Sequence, residues 1–189
     1  STGSVGIGSV APNFAALSES FARSHGYMNQ SSAGRYISLL GDAELDEGTV
    51  WEAIAEPAMA NLSNVLWVID LNRQSLDRII PGIRVRAWKE MFAANGWNVV
   101  EAKYGKLLQW AFDQPNGELL RSAIDDMSNE MYQRLLRISS DQLRNWLPRA
   151  SAFPEDLAKL IGQWNDQDLQ KIIRNLGGHD FPMLREAFS

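Results

Sequence analysis

Two apolar runs, RYISLL over residues 35–40 and VLWVID over residues 65–70, constrain this chain more than anything else in it. Each has the length of a strand, and neither shows the alternation of a strand that turns one side to water. Runs of that kind read as members of a parallel sheet covered on both faces. Between them, residues 49–61 carry Trp51, Ile54, Ala58 and Met59 on one side of a helical pattern. Strand, helix and strand in that order make a right-handed crossover unit. Pro57 lies inside the helical pattern. A proline there removes a backbone donor and clashes with the preceding turn, so a kink or an early end is expected.

The alternation extends in both directions. Residues 10–24 repeat Phe14, Leu17, Phe21 and Ala22 at helical spacing, and Gly26 follows as a stop. Residues 83–94 form a third helical pattern through Val85, Trp88, Met91 and Phe92, closed by Gly96. WNVVEA, residues 97–102, reads as a third strand. The first half is therefore α-β-α-β-α-β, an α/β fold with a parallel sheet flanked by helices. After Tyr104 no strand is expected. Short helices are predicted over 106–112, 117–127, 129–138, 141–147, 154–164, 166–176 and 182–188. Asp166 and Asp180 stand where caps are needed, and Gly177-Gly178 stands at a stop. The organisation expected is a core over 1–105 and a helical extension over 106–189.

Composition narrows the function. The 189 residues carry a net charge of −5 with no basic block, a poor match to nucleic acid or an anionic membrane. Cysteine is absent, so disulfides and thiolate metal sites are excluded. No apolar stretch reaches the roughly 20 residues of a membrane span. A cytoplasmic protein is the expectation.

The chemistry is expected at the strand ends, because open α/β sheets gather ligands at the carboxyl ends of their strands. The first end carries Gly41-Asp42-Ala43-Glu44, and the second carries Asp70-Leu71-Asn72-Arg73-Gln74. Asp42 and Asn72 are thirty positions apart, one crossover unit. A carboxylate and an amide carbonyl meeting at one point suit Mg²⁺, a hard cation that takes few protein oxygens and leaves the rest to phosphate and water. Amides at Ala43 and Glu44, where a helix begins, suit phosphate oxygens. The same Gly-Asp also serves as an ordinary helix cap, so spacing by itself leaves both readings open.

GDAELDEG followed by Asn72 resembles the thiamin diphosphate motif of the transketolase superfamily. STGSVGIG is similar to that superfamily's Gly-rich turn, and VWEAI to the helix after the motif. NRQSLDR, GWNVVEAKYG and GGHD resemble the homodimeric pyruvate dehydrogenase E1 type more than transketolase itself. The resemblance implies thiamin diphosphate and Mg²⁺ as cofactors. Asp42 and the Asn72 side chain would bind the metal, with Gln74 adding its main-chain carbonyl. Ala43 and Glu44 would lie against the diphosphate. Gly3 would accept from the 4′-amino group, Val5 would pack on the aminopyrimidine, and Leu76 would lie near the middle of the cofactor. No catalytic side chain of the family falls within these residues.

What the resemblance implies for activity is an oxidoreductase, a 2-oxo acid decarboxylating dehydrogenase of the E1 type acting on pyruvate. It would work as a homodimer, the pyrimidine-binding domain coming from the other subunit, and beside an acyltransferase (E2) component. The family's active-site histidines would precede Ser1 and its last strand would follow Ser189. The chain thus reads as an internal piece, inactive in isolation. Two departures are visible: Ala43 where the family usually has Gly, and Asp70 where E1 enzymes commonly carry Asn. They keep two alternatives in view, a transketolase-like ketol transferase and a catalytically silent relative that binds or regulates.

His25 and His179, the two histidines, read as structural, at a helix end and in a Gly-Gly turn. Trp51, Trp67 and Trp88 read as core, and Trp110, Trp146 and Trp164 as packing the helical half onto the sheet or lining a subunit interface.

Overall fold

A computed structural model describes residues 6–29, 34–71, 74–75, 78–79 and 82–189. They divide into two compact units, residues 1–99 and 100–189.

In the first unit, helix α1 (Ile7–Ser24) opens at Gly6, whose φ of 76° is left-handed, and stops where Gly26 takes φ 74°. Strand β1 (Tyr36–Gly41) follows, then a 3₁₀ turn over Asp42–Asp46 and helix α2 (Gly48–Ala55). The helix ends two residues before Pro57, which starts a second 3₁₀ turn over Pro57–Asn61. The proline breaks the helical pattern as its missing donor requires. Strand β2 (Val65–Asp70) pairs parallel with β1, from Tyr36 opposite Val65 to Gly41 opposite Asp70. A small antiparallel pair, β3 (Gln74–Ser75) and β4 (Arg78–Ile79), precedes helix α3 (Gly82–Ala94). Gly96, at φ 82°, turns the chain out of α3.

The core of this unit is Leu40, Leu45, Val50, Ile54, Trp88 and Phe92, with Trp51, Trp67 and Trp97 packed against it. The rings of Trp67, Phe92 and Trp97 meet at 5.2–6.0 Å between centroids, in tilted or edge-on pairs that suit their quadrupoles. Their polar edges are satisfied. Trp67 Nε1 donates to Asn13 Oδ1 at 2.8 Å, and Trp97 Nε1 donates to the Ile54 carbonyl at 3.2 Å.

Two expectations fail in this unit. Residues 97–102 form no strand: the segment has no ladder partner among the described residues, Val99 and Val100 are exposed, and Trp97 turns into the core instead. Apolar composition made the strand pattern, but a strand exists only where a neighbour completes its hydrogen bonds. Nor is β1 covered on both faces. Ser38 and Leu40 point inward, while Ile37 and Leu39 are 52% and 77% exposed. The run is apolar on both sides, but its burial alternates with the pleat.

The second unit contains seven helices among its described residues: α4 (Lys106–Phe112), α5 (Gly117–Asp125), α6 (Asn129–Leu135), α7 (Ser140–Trp146), α8 (Pro154–Gly162), α9 (Asp166–Ile173) and α10 (Phe181–Ala187). They close on Leu108, Leu120, Leu143, Leu157, Leu160 and Ile172, each at most 1% exposed. Trp146 and Trp164 pack against this core, and Trp110 is 45% exposed. Ser139 forms a full capping box with Gln142 at the start of α7.

Two cap assignments change. Asn165, not Asp166, caps α9, accepting from the Asp168 amide at 2.9 Å. That helix ends at Ile173, ahead of Gly177-Gly178, which lie in a 3₁₀ turn. Asp180 caps α10 as expected, accepting from the Met183 amide at 2.8 Å. Asn175 joins it: its Oδ1 accepts from the Leu107 and Leu108 amides at 2.9 and 3.2 Å, and its Nδ2 donates to Asp180 Oδ2 at 2.8 Å. One side chain therefore starts α4 and braces the cap of α10. Those bonds hold the Asp180 carboxyl below the usual range, the Asn175 amide contributing most.

Candidate functional site

The carboxyl end of β1 carries Asp42 into the 3₁₀ turn at once, with no intervening loop. Asp42 is 1% exposed. A carboxylate so buried is costly unless something of opposite charge or a donor meets it. Leu45, three residues on, is 2% exposed and anchors the turn into the core, which fixes the direction of Asp42 relative to β1. Trp51 Nε1 donates to the Leu45 carbonyl at 2.7 Å and ties α2 to the same turn.

Across the sheet, Asp70 ends β2 opposite Gly41 and is exposed. The backbone of β3, which includes Gln74, returns beside the 42–46 turn. The structure thus brings the strand end at Asp42 and the chain segment after Asp70 to one place. Asn72, Leu76, Gly3 and Val5 lie outside the described residues. Ala43 and Glu44 are half-buried in the turn after Asp42. Among the described residues, Asn116 is the one non-glycine with positive φ, so Ala43 occupies ordinary backbone conformation and its β-carbon brings no strain.

A third element joins the site, and sequence reasoning missed it. Ser9, in the first turn of α1, is 1% exposed. Its hydroxyl donates to Glu44 Oε2 at 2.7 Å, and its carbonyl accepts from Ser38 Oγ at 3.0 Å. Gly6 sits against the start of α2, where an added β-carbon would come within 2.9 Å of Thr49 Oγ1 and Val50 Cγ2. The end of the Gly-rich stretch is therefore seated on the motif. A helix predicted to begin at residue 10 left Ser9 in a loop, where a polar residue raises no question. A buried serine at the start of an amphipathic helix would have been the signal.

The side-chain groups gathered here are oxygens, the carboxylates of Asp42 and Glu44 and the hydroxyl of Ser9. Among the described residues no group of three or more His, Cys, Asp and Glu side chains is placed to hold a metal. One buried carboxylate at a strand end fits a hard divalent cation that takes few protein oxygens and completes its shell with phosphate and water.

Comparison with known proteins identifies the family. The profile of the family described as "Transketolase, thiamine diphosphate binding domain" matches residues 1–111. The chain is 26% identical over 197 residues to the pyruvate dehydrogenase E1 component of Escherichia coli K12, covering 99% of the chain and 21% of that protein. To the pyruvate dehydrogenase E1 component of Corynebacterium glutamicum it is 25% identical over 191 residues, covering 99% of the chain and 20% of the relative. Transketolase-like protein 1 of Mus musculus is 35% identical over 96 residues, covering 47% of the chain and 15% of the relative. The chain spans about a fifth of the length of the E1 relatives it matches. With the family profile running over more than half of its residues and through the whole Asp42 turn, the chain belongs to the transketolase thiamine diphosphate binding domain family.

Proposed function

We propose that this chain is the diphosphate-binding part of a thiamin diphosphate- and Mg²⁺-dependent 2-oxo acid decarboxylating dehydrogenase of the E1 type, acting on pyruvate. The observation that carries the reading is extent. Similarity to E1 components covers 99% of the chain, helical second unit included, whereas similarity to transketolase-like protein 1 covers 47%. The geometry at Asp42 supports the cofactor assignment.

In this reading the Asp42 carboxylate, the Asn72 side chain and the Gln74 carbonyl hold Mg²⁺. The Ala43 and Glu44 segment binds the diphosphate, with backbone amides as donors. Gly3 and Val5 receive the aminopyrimidine, and Leu76 lies along the middle of the cofactor. Thiamin diphosphate, when bound, supplies an electron sink for the pair left behind as the 2-oxo acid loses CO₂. The residues of this chain bind and orient; they move no proton. The pyrimidine-binding domain of a second copy completes the site, an acyltransferase (E2) component receives the product, and the cytoplasm is the compartment.

The test uses the full-length protein with Mg²⁺ and thiamin diphosphate, following decarboxylation of several 2-oxo acids with an artificial electron acceptor. Turnover of pyruvate is expected. Asp42→Ala is expected to abolish Mg²⁺-dependent cofactor binding while far-UV circular dichroism is retained; unchanged binding overturns the site assignment. A second reading, a silent binding or regulatory relative, is favoured by the exposed carboxylate of Asp70 at the second strand end. It predicts a folded full-length protein with neither turnover nor cofactor binding.

A further inference from the structure

The start of α1 touches the Asp42 motif at two points, Gly6 against the first turn of α2 and Ser9 against Glu44. We propose that Ser9 is a positioning residue: it draws the Glu44 carboxylate onto its own hydroxyl and so aligns the start of α1 with the diphosphate-binding turn. The inference rests on the thiamin diphosphate reading above and adds to it a residue that neither the motif nor the spacing marks.

Glu44 lies two residues from Asp42 and is half-buried. Left to choose its rotamer, its carboxylate would lose its tie to α1, and the turn would no longer be registered against the start of that helix. The Ser9 hydroxyl donates to Oε2 at 2.7 Å, a charge-assisted bond stronger than one between neutral groups. The donor is itself immobile. Ser9 is 1% exposed, and its carbonyl takes the hydroxyl of Ser38, an inward-facing residue of β1. A serine in a first helical turn often caps its own helix. This hydroxyl instead reaches thirty-five positions along the chain.

The bond joins the motif to the start of α1. In the reading proposed above, residues 42–44 bind the diphosphate and the stretch ahead of α1 receives the aminopyrimidine. Loosening the Ser9 bond misaligns one end against the other. A ligand that spans both ends feels this, and one that occupies the diphosphate end does not.

The test is isothermal titration of the full-length protein, with Mg²⁺ throughout, using thiamin diphosphate and inorganic pyrophosphate as separate probes. Ser9→Ala is expected to weaken thiamin diphosphate about tenfold and to leave pyrophosphate within about twofold. Ser9→Thr, which keeps the hydroxyl, is expected to restore affinity, and Ser9→Ala combined with Glu44→Ala is expected to be no weaker for thiamin diphosphate than the weaker single variant. Unchanged thiamin diphosphate affinity in Ser9→Ala overturns the proposal, as does equal weakening of both probes, the mark of a general loss of fold. If Ser9→Ala does not fold, Ser9→Cys, which keeps the volume but is a weak donor, carries the same requirement: loss for thiamin diphosphate without matching loss for pyrophosphate. A wild-type protein that binds neither probe overturns the cofactor reading itself and this inference with it, whereas intact wild-type binding with a flat Ser9→Ala overturns the Ser9 role by itself.

Discussion

Adjacent glycines in the second unit should answer alanine substitution in opposite ways. A β-carbon at Gly177 would lie 2.2 Å from the Ala102 carbonyl oxygen and 2.5 Å from its carbon, where ordinary contact begins near 3.4 Å. The obstacle is backbone and does not swing aside. The Gly177 amide donates to the Lys103 carbonyl at 3.1 Å, and Tyr104 and Leu176 form a bridge alongside. Gly177→Ala must therefore open this contact by about 1 Å. Losing the amide bond costs about 1 kcal/mol, and strain from overpacking adds about 1–3 kcal/mol. The stiffer unfolded chain returns about 0.4–1 kcal/mol. A net loss of about 2 kcal/mol follows, which moves a urea midpoint by roughly 1 M at an ordinary slope. At Gly178 an added β-carbon meets nothing within 4 Å and φ is not left-handed, so Gly178→Ala should be neutral or slightly stabilising. The assay is urea unfolding followed by far-UV circular dichroism, where the seven helices of this unit dominate. Coincident midpoints for the two variants would refute the reasoning.

Two further expectations concern other parts of the molecule. Asp125 takes hydrogen bonds from the Lys103 ammonium and the Tyr104 hydroxyl; burial works against its charge, yet those bonds prevail and hold its carboxyl below the usual carboxylate range, while burial and the same bond push the Tyr104 hydroxyl up. A carboxyl lowered on folding stabilises above its unfolded value and loses that contribution as pH falls through its folded value, so Asp125→Asn should flatten the acid limb of a stability–pH profile below about pH 4. Gly6→Ala must adopt φ 76° at about 1–2 kcal/mol and meet Thr49 and Val50 at 2.9 Å, so it should lower both the thermal midpoint and the cofactor affinity of the full-length protein, read by scanning calorimetry and titration.

How far the sequence reached follows from what each signal measures. β2 begins and ends where its apolar run does, and α4 matches its predicted span residue for residue, because the apolar pattern inside each span is local. WNVVEA carries the same apolar content as VLWVID and forms no strand, because pairing depends on a neighbour that no window of sequence reports. That Asp42 stands at a strand end was legible from Gly-Asp after the apolar run. Ser9 was not, because its partner is thirty-five residues away and its burial is a property of the packed helix. Asn175 escaped for the same reason: an asparagine after a helix reads as a stop, and its service to α4 becomes visible when residues 107 and 175 are side by side.

That service reaches beyond the stability of either helix. Because Asn175 holds the first amides of α4 and also grips the Asp180 carboxylate, the beginning and the end of the second unit share one fastening. The amide hydrogens of Leu107, Leu108 and Met183 should consequently exchange with solvent through a single opening event, at one common rate limit. A protease cut between α6 and α7 would then leave two fragments still clasped at their far ends, as a ring stays closed when it is cut at one point.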